Sequence, residues 1–368
     1  MNKTAIIYGA GNIGRGFTAQ LFNLSGYDIV FIDVDERIVA AMNEYGEYPI
    51  YITDGDTQKY KEMKITSVSA VNGRDNEAVA EAIKTADIMA TAVGVNVLPY
   101  IVKPVVMGLK LRKSPIDIIL CENKIDADTY FGGMAAAEID VSDISFIRTS
   151  VGCMVPAVPE HIKALHPLAI AVENYRTLYV DGSGFKHGVP DIANVKAVDP
   201  FEICIQQKLY MHNMSHAATA YIGSKYEYIY EAIRDPDVKS AVVGALSESA
   251  RAIAMEHDIN ADYELIPYAA ELVKRYDNKL LGDTAERVGR DTKRKLSYDD
   301  RIVGALRLCV KHGIDPVNII RALFAGLEFE KGGEVNTYYV QNGLRETLIK
   351  YCGITDEIIL NKIDRLSN

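Results

Sequence analysis

The stretch TAIIYGAGNIGRGFTAQLFNLSGYDIVFID, Thr4–Asp33, decides the fold. Thr4–Tyr8 is a short apolar run of the kind carried by a parallel strand buried on both faces. Gly9-Ala10-Gly11-Asn12-Ile13-Gly14 follows at once, Arg15–Leu24 has the pattern of a helix, and Asp28–Ile32 is a second apolar run closed by Asp33. Strand, Gly-x-Gly-x-x-Gly, helix, strand and acid, in that order, read as a dinucleotide-binding unit. Gly9 permits the tight turn, Gly11 lets the backbone approach a pyrophosphate, and Gly14 lets the helix lie close on the sheet. The helix start, with Asn12 and Ile13 between the glycines, offers N–H groups to the phosphates. Asp33, 19 residues after Gly14, is placed to accept from both ribose hydroxyls and to repel a 2′-phosphate. The cofactor expected is therefore NAD rather than NADP.

Outward from this unit the alternation continues. Glu36–Tyr45 reads as a helix, Tyr48–Ile52 and Lys61–Val68 as strands around a polar turn at 53–58, and Asn76–Thr85 as an amphipathic helix. Asp87–Val93 is another buried strand ending at Gly94, and Ile116–Cys121 one ending at Glu122-Asn123. Such strand ends line the cofactor site of an open α/β sheet, which marks Val93 and Gly94 as cofactor contacts. Helices are expected at Val97–Leu111 and Asp126–Glu138 and a strand at Ile144–Ser150. Leu168–Val172 and Thr177–Val180 read as a hairpin or edge strands. Lys186–Pro200, with two prolines and a glycine, reads as a hinge. Beyond it strand-like runs give way to long helical patterns. The expectation is an α/β protein: a Rossmann-type dinucleotide-binding domain over residues 1–190, then a mostly helical substrate-binding and catalytic domain over 191–368.

At 368 residues the chain is long for a single core, which agrees with two domains. A formal net charge of −10 argues against a general nucleic-acid or anionic-membrane partner. No apolar run reaches the roughly 18 residues of a membrane span, and the N-terminus enters a strand without the pattern of a signal peptide. The five cysteines are odd in number and widely spaced, without a Cys-x-x-Cys pair, so neither a zinc site nor a disulfide framework is indicated. A cytoplasmic enzyme acting on a small molecule is expected, and its oligomeric state stays open.

The chemistry points to PFEICIQQKLYMHNMSHAATAYIG, Pro200–Gly223, read as one helix. At about 100° per residue, Asn213 lies about 140° round from Lys208 and His216 about 80°, so all three fit one broad side. A helix lysine alone is ordinarily a solvated group. An ammonium, an amide and an imidazole among Ile205, Leu209 and Ala220 instead suit a pocket, where Lys208 could exchange a proton with a hydroxyl. Asn123, at a strand end, could donate to a developing alkoxide, and Glu122 could conduct protons or pair with a base. RVGRDTKRKLSYDDR, Arg287–Arg301, clusters cations in an acidic chain. It suits a phosphorylated or carboxylated substrate, or forms a solvated face paired with Asp291, Asp299 and Asp300.

Together these residues resemble the polyol-specific long-chain dehydrogenases, and within them the branch acting on mannitol 1-phosphate. GAGNIGRGF (Gly9–Phe17), TAVG (Thr91–Gly94), CEN (Cys121–Asn123), KLYMHNMSHAATAYIG (Lys208–Gly223) and ERVGRDTKRKLSYDDR (Glu286–Arg301) carry the resemblance over nearly the whole chain. The Lys-x₄-Asn-x₂-His pattern is its specific part. The resemblance implies metal-independent hydride transfer between NAD and a secondary alcohol of a polyol phosphate. It makes Lys208 the general acid/base, has Asn123 and Asn213 hold the alkoxide oxygen, and has His216 orient substrate hydroxyls. Arg294, with Arg290 and Lys293 beside it, becomes the candidate for a substrate phosphate. One departure stands out: where the family commonly has Val-Asp-Arg, this chain has Val151-Gly152-Cys153. Two alternatives remain open at this point, an unphosphorylated polyol or sugar-acid substrate and an NAD-binding sensor or scaffold without turnover.

Overall fold

The computed structural model describes residues 3–55, 57 and 59–366. Thr4–Tyr8 forms β1, whose last four residues are buried. Asp28–Asp33 (β2) lies parallel on one side, with Ile32 opposite Tyr8. Ile88–Thr91 (the sixth strand in chain order, β6) lies parallel on the other, with Thr91 opposite Tyr8. Between them in sequence come Tyr48–Asp54 (β3), Lys59–Ile65 (β4) and Val68–Asn72 (β5). After them come Ile116–Leu120 (β7), Ile144–Val151 (β8), Ile170–Glu173 (β9), Leu178–Asp181 (β10) and Val195–Val198 (β11). Among the described residues the main sheet runs β11-β10-β8-β7-β6-β1-β2-β5. The chain leaves β1 toward β2 and β5 and returns on the far side through β6 and β7. The strand order thus reverses next to β1, the point where α/β sheets bind ligands at their carboxyl ends.

The apolar run of β1 is continuous because both of its faces are covered. With a period of two, Ala5 and Ile7 join Ile29, Phe31, Phe17 and Phe22 in one core. Ile6 and Tyr8 join Ile32, Val79, Ile83, Leu98 and Val105 in the other. Each isoleucine so buried contributes roughly 1.5–3 kcal/mol. The helix Glu36–Tyr45 is capped as its sequence directs: the Asp35 carboxylate accepts from Arg37 N, and left-handed Gly46 ends it.

Two strand readings are corrected. The runs near 168–172 and 177–180 do not pair as a hairpin; the other alternative, an edge strand, holds for β9, the edge of the sheet β4-β3-β9, and not for β10, which β11 flanks. β9 is parallel to β3 in a separate sheet with β4, whereas β10 is antiparallel to β8 and parallel to β11 in the main sheet. All four residues of β9 are buried, and an isolated hairpin could not cover both faces of such a strand. The stretch read as a hinge, Lys186–Pro200, contains β11, a strand of the main sheet. Of the turn read at 53–58, residues 56 and 58 lie outside the described residues.

The chain divides into two compact units that meet in sequence between Cys204 and Ile205. The second unit is helical around one apolar core, centred on Met214–Ile222, Pro236–His257, Arg301–Lys311 and Val317–Phe329. Ala261–Glu264 is a short helix that ends at Leu265, and Ile266–Tyr276 restarts with a proline in its first turn. Glu334–Lys350 is interrupted at Gly343, whose φ is 80°. Ile229–Arg234, Ala285–Gly289 and Thr292–Lys295 are too short for a helical period to show in sequence. No helix among the described residues is long and apolar enough to cross a membrane.

Candidate active site

In the first unit the glycine loop is shaped by close contacts. Gly9 has φ 104°, and a Cβ there would come within 2.5 Å of Ala92 O. A Cβ on Gly14 would overlap the carbonyl oxygen of Gly9. Gly11 differs: it is exposed and no atom lies within 4 Å of its Cβ position, which leaves an open face at the start of the helix for a ligand to occupy. Asn12 is exposed and Ile13 partly so. The Arg15 guanidinium braces the loop from behind, donating to Ala10 O at 2.7 Å and Leu168 O at 2.9 Å. Asp33 is tied to the same loop. Its Oδ2 accepts from Ala10 N at 2.6 Å and its Oδ1 from Asp35 N at 2.9 Å. A carboxylate has about four lone-pair positions, so two backbone bonds leave capacity for ribose hydroxyls. The carbon-free face at Gly11, the helix start and the anchored acid fit a dinucleotide.

The neighbouring strand ends are joined by Glu122. This buried carboxylate accepts from Val93 N at 2.9 Å and Gly94 N at 2.8 Å. Burial pushes its pKa up, while the backbone bonds from Val93 and Gly94 oppose that. Glu122 thus fixes the turn in which Gly94 adopts φ 90° and holds it beside Asn123, which is exposed. Gly152, in the stretch that departs from Val-Asp-Arg, is buried, and its Cβ position is 3.3 Å from the Tyr175 ring.

In the second unit the helix read over Pro200–Gly223 is not a uniform α-helix. Glu202–Gln206 is α, Gln207–Asn213 is a π-helix, and Met214–Ile222 is α again. In an i→i+5 turn, residues five apart take the stacked place that residues four apart hold in an α-helix. Asn213 is therefore brought onto the same face as Lys208, at about the 40° offset of an i+4 residue in an α-helix and not the roughly 140° that an ideal α-helix would give it. Lys208, Asn213 and His216 are all partly exposed. The His216 ring stacks on Tyr276 with centroids 4.9 Å apart and planes 6° from parallel. Its Nε2 lies 3.2 Å from Asp283 Oδ2 but in no hydrogen-bonding geometry. Burial, then Arg287, Arg275, Arg301 and Lys295, push its pKa down to about 3. The Asp283 contact is thus made by a neutral imidazole, and the ion partner of Asp283 is Arg287.

Residues 3–194 match the mannitol dehydrogenase Rossmann domain and residues 197–358 the mannitol dehydrogenase C-terminal domain. The chain belongs to the mannitol dehydrogenase family. It is 33% identical to the mannitol-1-phosphate 5-dehydrogenase of Caldanaerobacter subterraneus subsp. tengcongensis, over 96% of this chain and 94% of that protein. It is also 33% identical to the Bacillus licheniformis protein of the same name, over 98% of each. Its fold is that of a substrate-free D-sorbitol dehydrogenase (TM-score 0.82, 16% identity, 99% of this chain and 92% of that one). It is also similar to Pseudomonas fluorescens mannitol 2-dehydrogenase in a ternary complex with NAD and D-mannitol (TM-score 0.65, 15% identity, 100% and 85%).

In this member of the mannitol dehydrogenase family the basic stretch separates into two sets. Lys293 pairs with Glu334 at 2.8 Å and Arg294 with Asp291 at 2.6 Å and Asp300 at 3.3 Å, all three bonds at the surface; Arg290 is exposed. Lys295 turns inward and donates to Val288 O at 2.5 Å, and Arg301 pairs with Asp300 at 2.7 Å in a half-buried setting. Burial, then Arg301 and Arg294, lower the pKa of Lys295 to about 8. Sequence reading missed Arg275, Tyr276, His212 and Asp283 around His216; nothing in the local sequence of Arg275–Asp283 points to a histidine some sixty residues earlier.

Proposed function

We propose that this chain is an NAD-dependent dehydrogenase interconverting a hexitol phosphate and a ketose phosphate, of the mannitol 1-phosphate and fructose 6-phosphate type. The observation that carries the reading is the match, over nearly the full length of both chains, to proteins named for that reaction. The first unit holds the cofactor: the Gly9–Gly14 loop takes the pyrophosphate, Asp33 the ribose hydroxyls, and Val93 and Gly94 the far end. The nicotinamide, when bound, accepts or supplies the hydride. The second unit supplies the proton chemistry. Lys208 Nζ takes the proton of the substrate hydroxyl in oxidation and returns it in reduction. Asn213, on the same face as Lys208 at the π-turn, and Asn123 donate amide N–H groups to the oxygen as charge develops on it. His216, neutral, orients a neighbouring hydroxyl. Five buried thiols without disulfides fit a reducing cytoplasm.

A second reading, an unphosphorylated polyol or sugar acid as substrate, is favoured by one observation. Lys293 and Arg294, named for the phosphate, are already engaged by Glu334, Asp291 and Asp300. Fructose and fructose 6-phosphate compared side by side with NADH separate the two. The phosphate reading expects kcat/KM at least about a hundredfold higher for the phosphorylated ketose, as a charge-assisted contact of about 3 kcal/mol gives. Equal values on both sugars overturn it.

A further inference from the structure

The π-turn that brings Asn213 toward Lys208 is an irregular piece of helix, and such a turn interrupts the regular α-helical ladder, where side-chain donors can reach its carbonyls. Three consecutive carbonyls of the turn each receive a side-chain hydroxyl. Ser249 Oγ donates to Tyr210 O at 2.8 Å, Ser215 Oγ to Met211 O at 2.6 Å, and Tyr276 OH to His212 O at 2.9 Å. The last two hydroxyls also lie 2.8 Å from each other; each carries one proton, so one of them bonds to the other only by turning its proton away from its carbonyl. Tyr276 is 2% exposed and ends the helix Ile266–Tyr276. The same residue presents its ring face to His216. One side chain therefore grips the carbonyl just before Asn213 and the imidazole plane three residues after it.

We propose that Tyr276 is the positioning residue of this site, its hydroxyl holding the π-turn in register and its ring holding His216 in plane. The proposal rests on the roles given above to Lys208, Asn213 and His216. Without the hydroxyl, the buried His212 carbonyl loses a donor. The helix can relieve that by rewinding to α geometry, which returns Asn213 to about 140° from Lys208. Without the ring, His216 loses its stacking surface and its fixed orientation toward a substrate hydroxyl.

The test uses the full chain with Tyr276→Phe, which removes one oxygen and keeps the ring, and Tyr276→Leu, which removes both functions at similar apolar character. Tyr276→Phe is expected to lower kcat about ten- to a hundredfold while the Kd for NADH, read by fluorescence, stays within about twofold. Tyr276→Leu is expected to add a rise of about tenfold in KM for the ketose substrate. If both variants keep kcat and KM within about twofold of wild type and only Tm moves, Tyr276 is core filling and the proposal falls. Lys208→Ala, run beside them, separates the two levels of inference. Lost turnover there with wild-type kinetics in the Tyr276 variants overturns the proposal alone; wild-type turnover there overturns the reading of the helix and the proposal with it. Where Tyr276→Leu does not fold, Tyr276→Phe carries the test.

Discussion

The glycine loop of the first unit and the Lys208–His216 helix of the second are built by opposite means. The loop is made by what is missing: side chains absent at Gly9 and Gly14 allow backbone to touch backbone, and the one at Gly11 leaves a face open. The helix is made by what is added, an extra residue in its turn and hydroxyls from distant elements that hold it there. A geometry set by absent side chains is written in the local sequence. A geometry set by distant donors is not.

The largest expected effect tests whether the helix performs chemistry at all. Lys208→Ala should reduce kcat by about 10²- to 10⁴-fold, the ordinary contribution of a positioned acid/base, with NADH affinity unchanged in a fluorescence titration. Comparable losses in kcat and in NADH affinity would mean that Lys208 serves the fold or the cofactor, and the contrast between the two regions would lose its chemical meaning.

The next effect dissects the loop. Gly11→Ala meets no neighbouring atom, so Tm should hold while NADH binding weakens about tenfold or more, because the new methyl occupies the face left for the ligand. Gly14→Ala overlaps Gly9 O, so it should cost about 1–3 kcal/mol of stability as well, seen as a lower Tm without ligand. The comparison breaks if Gly11→Ala unfolds the protein or leaves NADH affinity at wild type.

How much of this was legible follows from the same distinction. The apolar runs of β1, β2 and β6 and the glycine spacing between them stated the first unit's centre directly, since each depends on residues adjacent in sequence. The separation of β9 from β10 was not legible, because their partners β3 and β8 are chosen by long-range burial. The trio Lys208, Asn213 and His216 was found through its types and spacing. Its angular layout was not, because a uniform 100° step hides a π-turn. Glu122 stood out as an acid at a strand end, but its service to the Val93 and Gly94 amides depends on a crossover connection. Arg290, Lys293 and Arg294 stood out as charge, and charge alone does not tell an inward lysine such as Lys295 from an outward one.

The smallest expected effect concerns protons at the helix rather than rate. Burial, then Arg287, Arg275, Arg301 and Lys295, push the His216 pKa down to about 3, and buried His212 is also held well below the ordinary value, first by burial and then by Arg275, His216, Lys208 and Arg301. A histidine whose folded pKa lies below its unfolded value of about 6.5 takes up a proton on unfolding across the interval between the two. Its effect on stability is therefore absent above about pH 6.5, and stability falls as the pH drops from there toward about 3. His216→Gln removes one such group, so Tm measured from neutral to acid pH should decline less steeply than in the wild type. The midpoint of any kcat/KM limb above about pH 5 should stay in place, since a ring that is neutral throughout that range cannot set it. An unchanged acid slope of Tm together with a displaced kcat/KM midpoint would mean that His216 is charged in the working enzyme. Asp283 would then be its ion partner, and the orienting role assigned to a neutral imidazole would have to be replaced by one of charge.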